Sequence, residues 1–498
     1  MSYQTIWKYN YPDKSIIAED LANGIKPYVT VSAKGIANGL SDIPNDGADF
    51  GPDTMLNATD PSQIGSPYTQ TSGIQEAVNY VLNSPLFSNG LPKIFLLQGN
   101  FIINDNATIW INNNPNSPPL NSPNGLYICG VSPALSVITK QNSLPSPIIS
   151  FTNPNGYTPT GSLIGNTIFE NFTVYYSGPA SNATSGVTLA NLSIPEQGGS
   201  LAVFKNLYAI AWDVNNTMLD ISGHEDSIAE GLYVWNTGTG YNASITTPAL
   251  KVNVVGGMIN LYNIMVSGID ISVQNGSIIN STIGTSGGQG IVFRPSYNGS
   301  ILNLQNTSFN GTLTRLITIS PTTSGTTNSG QINLTNAWLS KTPTGNGDYM
   351  IETNANIPII WNFAETTFWN NNTSYTLYLF DPNISTNDEY LNLYTHTMGN
   401  HGVILKTENS TSGTTAGAVS MKFITYLSIY KKLMIYLSGY ENNTTTNQTI
   451  NYPLPFSTSA IITGNNTGLT ISASTTGITI TSPNSTTAYS GIVIVEGY

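Results

Sequence analysis

The sequence predicts an all-β chain: a right-handed parallel β-helix with an N-terminal capping helix and a small C-terminal antiparallel β-sandwich. Three observations lead there. A six-residue motif recurs through the middle of the chain: an apolar residue, any residue, then Asn or a small or polar residue, with an apolar residue or Thr two or three positions on. The copies are "FENFTV" at Phe169, "FKNLYA" at Phe204, "AEGLYV" at Ala229, "LYNIMV" at Leu261, "LQNTSF" at Leu304, "LTNAWL" at Leu334 and "FAETTF" at Phe363. Their spacing is irregular, on the order of 25 to 45 residues, a period that belongs to stacked repeats from which loops leave. Between about 120 and 395 no long helical period interrupts the strand–turn–strand pattern. After 420 the chain turns to short alternating strands separated by Asn, Gly and Pro turns, as in a small sandwich.

The elements follow in order. Residues 1–45 read as an N-terminal arm punctuated by Pro and Gly. "NDGADFGPDT" (Asn45–Thr54) is a turn-rich approach. "TSGIQEAVNYVLNSP" then predicts a short amphipathic helix. Ser72 and Gln75 have capping-box spacing; Ile74, Val78, Val81 and Leu82 share one helical face; Pro85 stops it. "KIFLLQGNFII" reads as two strands broken at Gly99. In the repeated motif the apolar positions should point inward, rung upon rung. The Asn should sit at a corner, where it tolerates left-handed backbone and bonds the turn. This β-helix with its cap spans 46–395, a loop-rich linker spans 396–420, and the sandwich spans 421–498.

Composition narrows function. Charged residues are only 8% of the chain and the net charge is −12, with 15 Lys and Arg. Clustered basic residues, which nucleic acid requires, are absent. Asn, Ser, Thr and Tyr form a surface that hardly titrates. Few carboxylate ion pairs are available to be lost in acid, so the fold is expected to persist near pH 3. The single cysteine, Cys129 in "GLYICGVSP", lies among apolar residues and reads as a buried thiol. His224, His396 and His401 are the only histidines, too few for cysteine–histidine zinc sites. No metal or cofactor is expected. "MSYQTIWKYNYPDKS" is not a secretory signal, and no apolar run is long enough to span a membrane.

With these motifs in view, "NDGADFGPDT", "SGIQEAVNYVL", "KIFLLQGNFII" and "GLYICGVSPALSVITK" (Gly125–Lys140) resemble the N-terminal cap and first coils of the pectate-lyase-like β-helix superfamily. The likeness covers roughly residues 45 to 395. Residues 55–70 are an insertion relative to that pattern, and Gln98 stands where a Pro is usual. The scaffold is shared by polysaccharide-cutting enzymes and viral spikes. The polygalacturonase signatures, an N-T-D, a D-D pair and a G-H-G, do not occur intact; "SGHED" (Ser222–Asp226) is the nearest fragment. The C-terminal "SGYENN", "YPLPF" and "NNTGLTISASTTGITITSPNSTTAYSGIVIVEGY" are similar to terminal domains of surface proteins from viruses of thermoacidophilic archaea. That resemblance implies a virion-surface spike or fibre. It would attach to a host-cell glycan or glycoprotein, contact other virion proteins through the N-terminal arm, and assemble as a homo-oligomer, a trimer first. A polysaccharide-degrading enzyme on the same scaffold and a structural capsid decoration are the alternatives.

Chemistry is sparse. The densest charged stretch, "WDVNNTMLDISGHEDSIAE", holds Asp213, Asp220, His224, Glu225, Asp226 and Glu230. Glycoside hydrolysis needs two carboxylates roughly 5 to 10 Å apart. If the chain is an enzyme, Asp213, Asp220, Glu225 and Asp226 are the candidates for that pair. The plainer reading makes them turn residues and caps, and no catalytic residue is assigned. A lyase would need a basic residue in a recognisable motif, and neither arginine, Arg294 or Arg315, lies in one. Roughly twenty N-x-S/T sequons occur, among them Asn57, Asn106, Asn182, Asn242, Asn298, Asn333, Asn383, Asn443 and Asn465. These are candidate glycosylation sites if the chain meets the machinery. Tyr, Trp and Asn at turns suit sugar binding.

Overall fold

In a computed structural model the chain is an all-β, right-handed parallel β-helix, with antiparallel sheets at the C-terminal end of the sequence. The structure describes residues 28–33, 48–51, 69–83, 93–111, 126–151, 167–194, 202–236 apart from 225, 246–284 and 288–310, and, with short internal gaps, 313–381, 390–404 and 418–497. Two compact units divide it, Met1–Tyr297 and Asn298–Tyr498.

In the first unit the strands stack as three walls. The first wall runs through Val29–Val31, Lys93–Leu96, Tyr127–Gly130 and the start of Thr167–Tyr176. It continues through Ala202–Ala211, Ser227–Glu230, Leu250–Tyr262 and Ile269–Ile279, every pairing parallel, the last with a register shift between Val254 and Met258. The second wall carries Gly99–Ile102, Ser136–Lys140, the later halves of 167–176 and 202–211, Tyr233–Trp235, Met265–Val266 and Thr282–Ile283. The third carries Ile109–Trp110, Ile149–Ser150, Ala190–Asn191, Leu219–Asp220, the start of 250–262 and of 269–279, and Gln289–Pro295. Val29–Val31, within the stretch read from sequence as an arm, is thus a strand of this helix.

The repeated motif marks one corner of each coil. Its third residue turns the chain from the first wall to the second in left-handed backbone: Asn171 (φ 61°), Asn206 (47°), Gly231 (67°) and Asn263 (52°). In this region an ordinary L-residue costs roughly 1–2 kcal/mol, and Asn and Gly visit it routinely. The residues two before the corner, Phe169, Phe204, Ala229 and Leu261, form one fully buried column. Phe169 and Phe204 stack with centroids 5.8 Å apart and planes 6° from parallel. Each buried Phe contributes about 1.5–3 kcal/mol. A further coil, with Ile278 in the column and Asn280 (φ 52°) at the corner, belongs to the series. Its "IINSTI" fits the same motif.

The capping helix is Ile74–Asn83, with Ile74, Ala77, Val78 and Val81 buried. Its start differs from the capping box expected at Ser72 and Gln75. Ser72 itself is left-handed (φ 52°) and its hydroxyl donates to the Ile102 carbonyl at 2.7 Å. Thr71 is the cap, its Oγ1 accepting the Gln75 backbone N–H at 3.2 Å. Gln75 is thereby freed for another task. Its side chain accepts from Trp110 N at 2.6 Å and donates to Trp110 O at 3.0 Å, satisfying backbone groups of the third wall.

The second unit repeats the plan. Ser300–Gln305, Gly330–Thr335, Ile359–Ala364 and Tyr390–Tyr394 pair in parallel as one wall. Ser308–Phe309, Trp338–Lys341, Thr367–Asn370 and Asn400–His401 form the next. Arg315–Ile319, Asp348–Glu352, Leu377–Phe380 and Val403–Ile404 form the third. The corner residues are Asn306, Asn336 and Glu365, all left-handed. Leu304, Leu334 and Phe363 fill the inner column. Antiparallel pairing takes over at Ala418–Tyr426, Tyr430–Asn442, Ser485–Gly497 and Ala460–Asn465. A second small antiparallel sheet joins Gln448–Asn451, Gly477–Ile480 and Ile471–Ala473. No helix among the described residues is long and apolar enough to cross a membrane.

Candidate functional site

The acidic stretch makes up most of one coil of the first unit, and the structure sets its carboxylates at three separate places. Asp213 follows the strand Ala202–Ala211 in left-handed backbone (φ 58°). Asp220 lies on the third wall, and Asp226, exposed and also left-handed (φ 54°), precedes the strand Ser227–Glu230. Two of the three are therefore turn residues. Glu225 lies outside the described residues.

Asp220 is 5% exposed and fully engaged. Its Oδ1 accepts the Ser222 N–H at 3.0 Å and the Ser222 hydroxyl at 2.5 Å; its Oδ2 accepts from Lys251 Nζ at 3.0 Å. Lys251 is the register neighbour of Asp220 on one side and of Asp270 on the other. Asp270 in turn takes Arg294 in a two-point contact, Nε–Oδ1 2.7 Å and Nη2–Oδ2 3.2 Å. Charges of alternating sign so climb the outside of the third wall, each neutralised by its neighbour. Glu230 pairs more loosely with Lys205, at 3.8 Å.

His224, between these acids in sequence, points the other way. It is fully buried, edge-on to Phe204 (5.3 Å) and Phe151 (5.9 Å), and its Nε2 donates to the Leu192 carbonyl at 2.7 Å. Burial pushes its pKa down to about 4, so the ring is neutral at physiological pH. It is a core residue with a satisfied hydrogen bond. Arg315 is likewise structural, bonded to Asp348 at 3.1 Å and lying 3.5 Å over the Tyr349 ring. Cys129 is buried and unpaired, its thiol pKa raised by burial.

The same coil presents different chemistry on its second wall. Tyr208 and Tyr233 are register neighbours with ring centroids 5.2 Å apart, and Met265 continues the row. Trp235 stacks on Tyr233 at 5.5 Å and 9°. Trp212, just past the strand that carries Tyr208, is 45% exposed, and Met265 is 40% exposed. The row arises from strand alternation: Leu207, Ala209 and Ala211 point inward, so Tyr208, Ile210 and Trp212 take the outer face. Coils repeat every ~4.8 Å, about the length of one sugar in an extended glycan. Aromatic faces stack on sugar C–H groups while the phenols and indoles keep hydrogen-bonding edges. Sequence reading named Tyr and Trp as a class but no single residue. The alternating pattern "LYAIAW" beside "LYVW" was the signal that could have found them.

Five of the candidate sequon asparagines are described. Asn106 is exposed, its backbone N–H bonded to Asn104 Oδ1. The other four side-chain amides are used. Asn182 donates to the Asn142 carbonyl at 3.0 Å. Asn298 accepts from the Ser329 N–H at 3.0 Å. Asn465 accepts from Thr467 and donates to the Leu469 carbonyl at 2.7 Å. Asn333 donates to Asn303 and accepts from Asn362, both at 2.7 Å. Asn57, Asn242, Asn383 and Asn443 lie outside the described residues.

Comparison with known proteins adds little beyond the fold. No protein-family model matches the sequence, and no curated protein sequence matches it. Among solved structures, the chain is similar to the Azotobacter vinelandii mannuronan C-5 epimerase AlgE4 A-module, at 13% identity and a TM-score of 0.28, covering 65% of this chain and 94% of that one.

Proposed function

We propose that the protein is a rigid attachment module that binds an extended glycan along the second wall of its first unit. The outward file of Tyr208, Tyr233 and Met265, with the exposed Trp212 beside it and the buried Trp235 backing Tyr233, carries this reading. Binding is favoured over hydrolysis by the placement of the described acids: Asp220 is engaged by Lys251 and Ser222, and Asp213 and Asp226 stand at turns. The low charge, the abundance of Asn, Ser and Thr, and the C-terminal resemblance favour a virion-surface spike that attaches to host glycan or glycoprotein. Anchoring through the residues ahead of Val29 and assembly as a trimer belong to the same proposal.

The test is binding of the purified chain to immobilised host-surface polysaccharide, with a reducing-end assay on the same material. The wild type should bind and release no new ends. Tyr208→Ala with Tyr233→Ala should weaken binding at least about tenfold, since each ring removed forfeits roughly 25 cal/mol per Å² of apolar area that the sugar would cover. New reducing ends that vanish in Asp213→Asn/Asp220→Asn/Asp226→Asn would replace attachment with glycoside hydrolysis.

A further inference from the structure

We infer that the second unit holds its own site for a neutral saccharide, built on Trp338 and Trp369. The two indoles stand on adjacent coils of one wall. Trp338 is in register with Thr367, and Trp369 with Ser340, so the pair is diagonal. Their centroids are 5.7 Å apart and their planes 26° from parallel. Alternation sends Leu339, Lys341 and Phe368 inward and leaves both tryptophans outside, Trp338 being 45% exposed.

The surroundings define the occupant. The outward neighbours on these strands are Ser308 and Thr367; Ser340, on the same face but only 7% exposed, accepts from Asn371 Nδ2 at 2.9 Å. Lys341 is the one charged residue on them, and it is turned inward, 2% exposed, donating to the Leu313 carbonyl at 2.9 Å and to Thr314 O. Glu365 at the corner is the nearest charge in sequence. Flat aromatic area flanked by the Ser308 and Thr367 positions, with no outward Asp, Glu, Lys or Arg on Ser308–Phe309, Trp338–Lys341 or Thr367–Asn370, matches the C–H faces and hydroxyls of an uncharged sugar. His401 on the adjoining strand is the register neighbour of Trp369, and no Lys or Arg faces outward on the described strands of this wall to pair a uronate. The aromatic area also falls short of an interface between copies: a stable one buries about 800 Å² per partner, whereas two aromatic side chains supply at most about 500 Å².

The site stands independently of the first unit's aromatic wall, and one titration separates the two. Cellohexaose, mannohexaose and hexagalacturonate are titrated calorimetrically into the full chain and into two double variants, Trp338→Ala/Trp369→Ala and Tyr208→Ala/Tyr233→Ala. At least one neutral hexasaccharide should bind. The tryptophan double variant should lose one binding event per chain, or at least tenfold in affinity, while the tyrosine double variant keeps that event. Trp338→Phe/Trp369→Phe should retain weakened binding, which controls for folding. The inference is overturned by any of three results: the tryptophan variant binds as wild type does, no neutral probe binds, or only hexagalacturonate binds. Sedimentation showing that the wild type self-associates and the tryptophan variant does not would make this face a contact between copies instead.

Discussion

The parallel coils of the two units differ in regularity, and the difference shows in what their side chains can build. In the second unit successive coils are nearly equal: Asn306 to Asn336 is 30 residues, Asn303 to Asn333 is 30 and Asn333 to Asn362 is 29. Constant length keeps like residues in register, and amide ladders form. In the first unit Asn171 to Asn206 is 35 residues, while Ile264 pairs with Ser281 only 17 further on. There the corner ladder starts, Asn206 donating to Asn171 at 2.9 Å, and stops at Gly231, where a Cβ would meet Asn206 Oδ1 at 2.4 Å. The irregular unit has the Asp220–Lys251 and Asp270–Arg294 pairs and a buried histidine there, while the regular unit adds the Arg315–Asp348 and Lys341–Asp348 pairs to its ladders. Regular coils thus stabilise themselves by repetition, whereas irregular ones depend on individual contacts.

The largest expected effect tests that dependence. Phe204→Ala removes a ring that stacks on Phe169 and bears on His224, and should destabilise the first unit by about 3–5 kcal/mol. Leu334→Ala, in the corresponding column of the second unit, should cost about 2–5 kcal/mol. Denaturant titration followed by protease mapping would report each. Equal protection of residues 1–297 in Phe204→Ala and wild type would break the comparison.

Acid should separate the units next. His224 has a folded pKa of about 4 against 6.5 when free. Between these values the unfolded chain holds the extra proton, so stability falls as pH drops from 6.5 through 4. The loss saturates at about 3 kcal/mol. This term opposes the acid persistence expected from the low charge, and it acts on the first unit. Pepsin susceptibility at pH 3 should rise in residues 1–297 before 298–498. His224→Gln, which can still donate to the Leu192 carbonyl, should flatten the pH dependence. An unchanged profile in that variant would remove His224 as its source. Lys140, pushed down to about 7, and Lys341, pushed down to about 8, place one buried amine in each unit. Their folded values also lie below the free value of 10.5, so raising the pH from 7 toward 10 should strengthen both units and not distinguish them.

A smaller change would extend the regular ladder. Glu365 occupies a left-handed corner (φ 51°) where the preceding coils use Asn306 and Asn336. Glu365→Asn relieves backbone strain and places an amide beside Asn336. A gain of about 1 kcal/mol is expected. The same logic fails at Gly231, so Gly231→Asn should not stabilise. Thermal melts of the two variants would show whether register alone governs the ladders.

Much of this was legible in the sequence. The motif named Phe169, Phe204, Leu261 and Leu304 as inward, and all are 0–1% exposed. It also placed Asn171, Asn206 and Asn263 at corners, where the backbone is left-handed. The coil at Ile278 was missed because its repeat is too short for the spacing sought. The cap was misplaced by one residue, since Thr71 and Ser72 both carry a hydroxyl and only the left-handed turn at Ser72 decides between them. Site chemistry was less legible. A cluster in sequence need not be a cluster in space when one coil carries it around three walls, and His224 shows that a polar label does not exclude the core. The aromatic rows became visible only once register fixed which residues are neighbours.

The smallest expected effect concerns Asp220, whose part is structural here and would be central in a hydrolase. Asp220→Asn keeps Oδ1 as acceptor for the Ser222 N–H and hydroxyl, and puts an amide NH2, a donor, where Oδ2 accepted from Lys251, so the charge and that one hydrogen bond are lost. Lys251 is 44% exposed, so water solvates its ammonium group. Asp220 is 5% exposed, but the half-exposed Lys251 turns to water when the pair is broken, which keeps the cost near that of exposed pairs, about 0–1 kcal/mol, and screening lowers it further. The variant should therefore lose less than 1 kcal/mol in a denaturant titration, less still at high salt, and bind polysaccharide as the wild type does. A catalytic carboxylate behaves in the opposite way: its amide variant keeps stability and loses turnover by orders of magnitude. Measuring both on one preparation decides the role of this coil. A stability loss of several kcal/mol would mean that Asp220 holds the third wall together, and the irregular unit would then rest on a single ion pair.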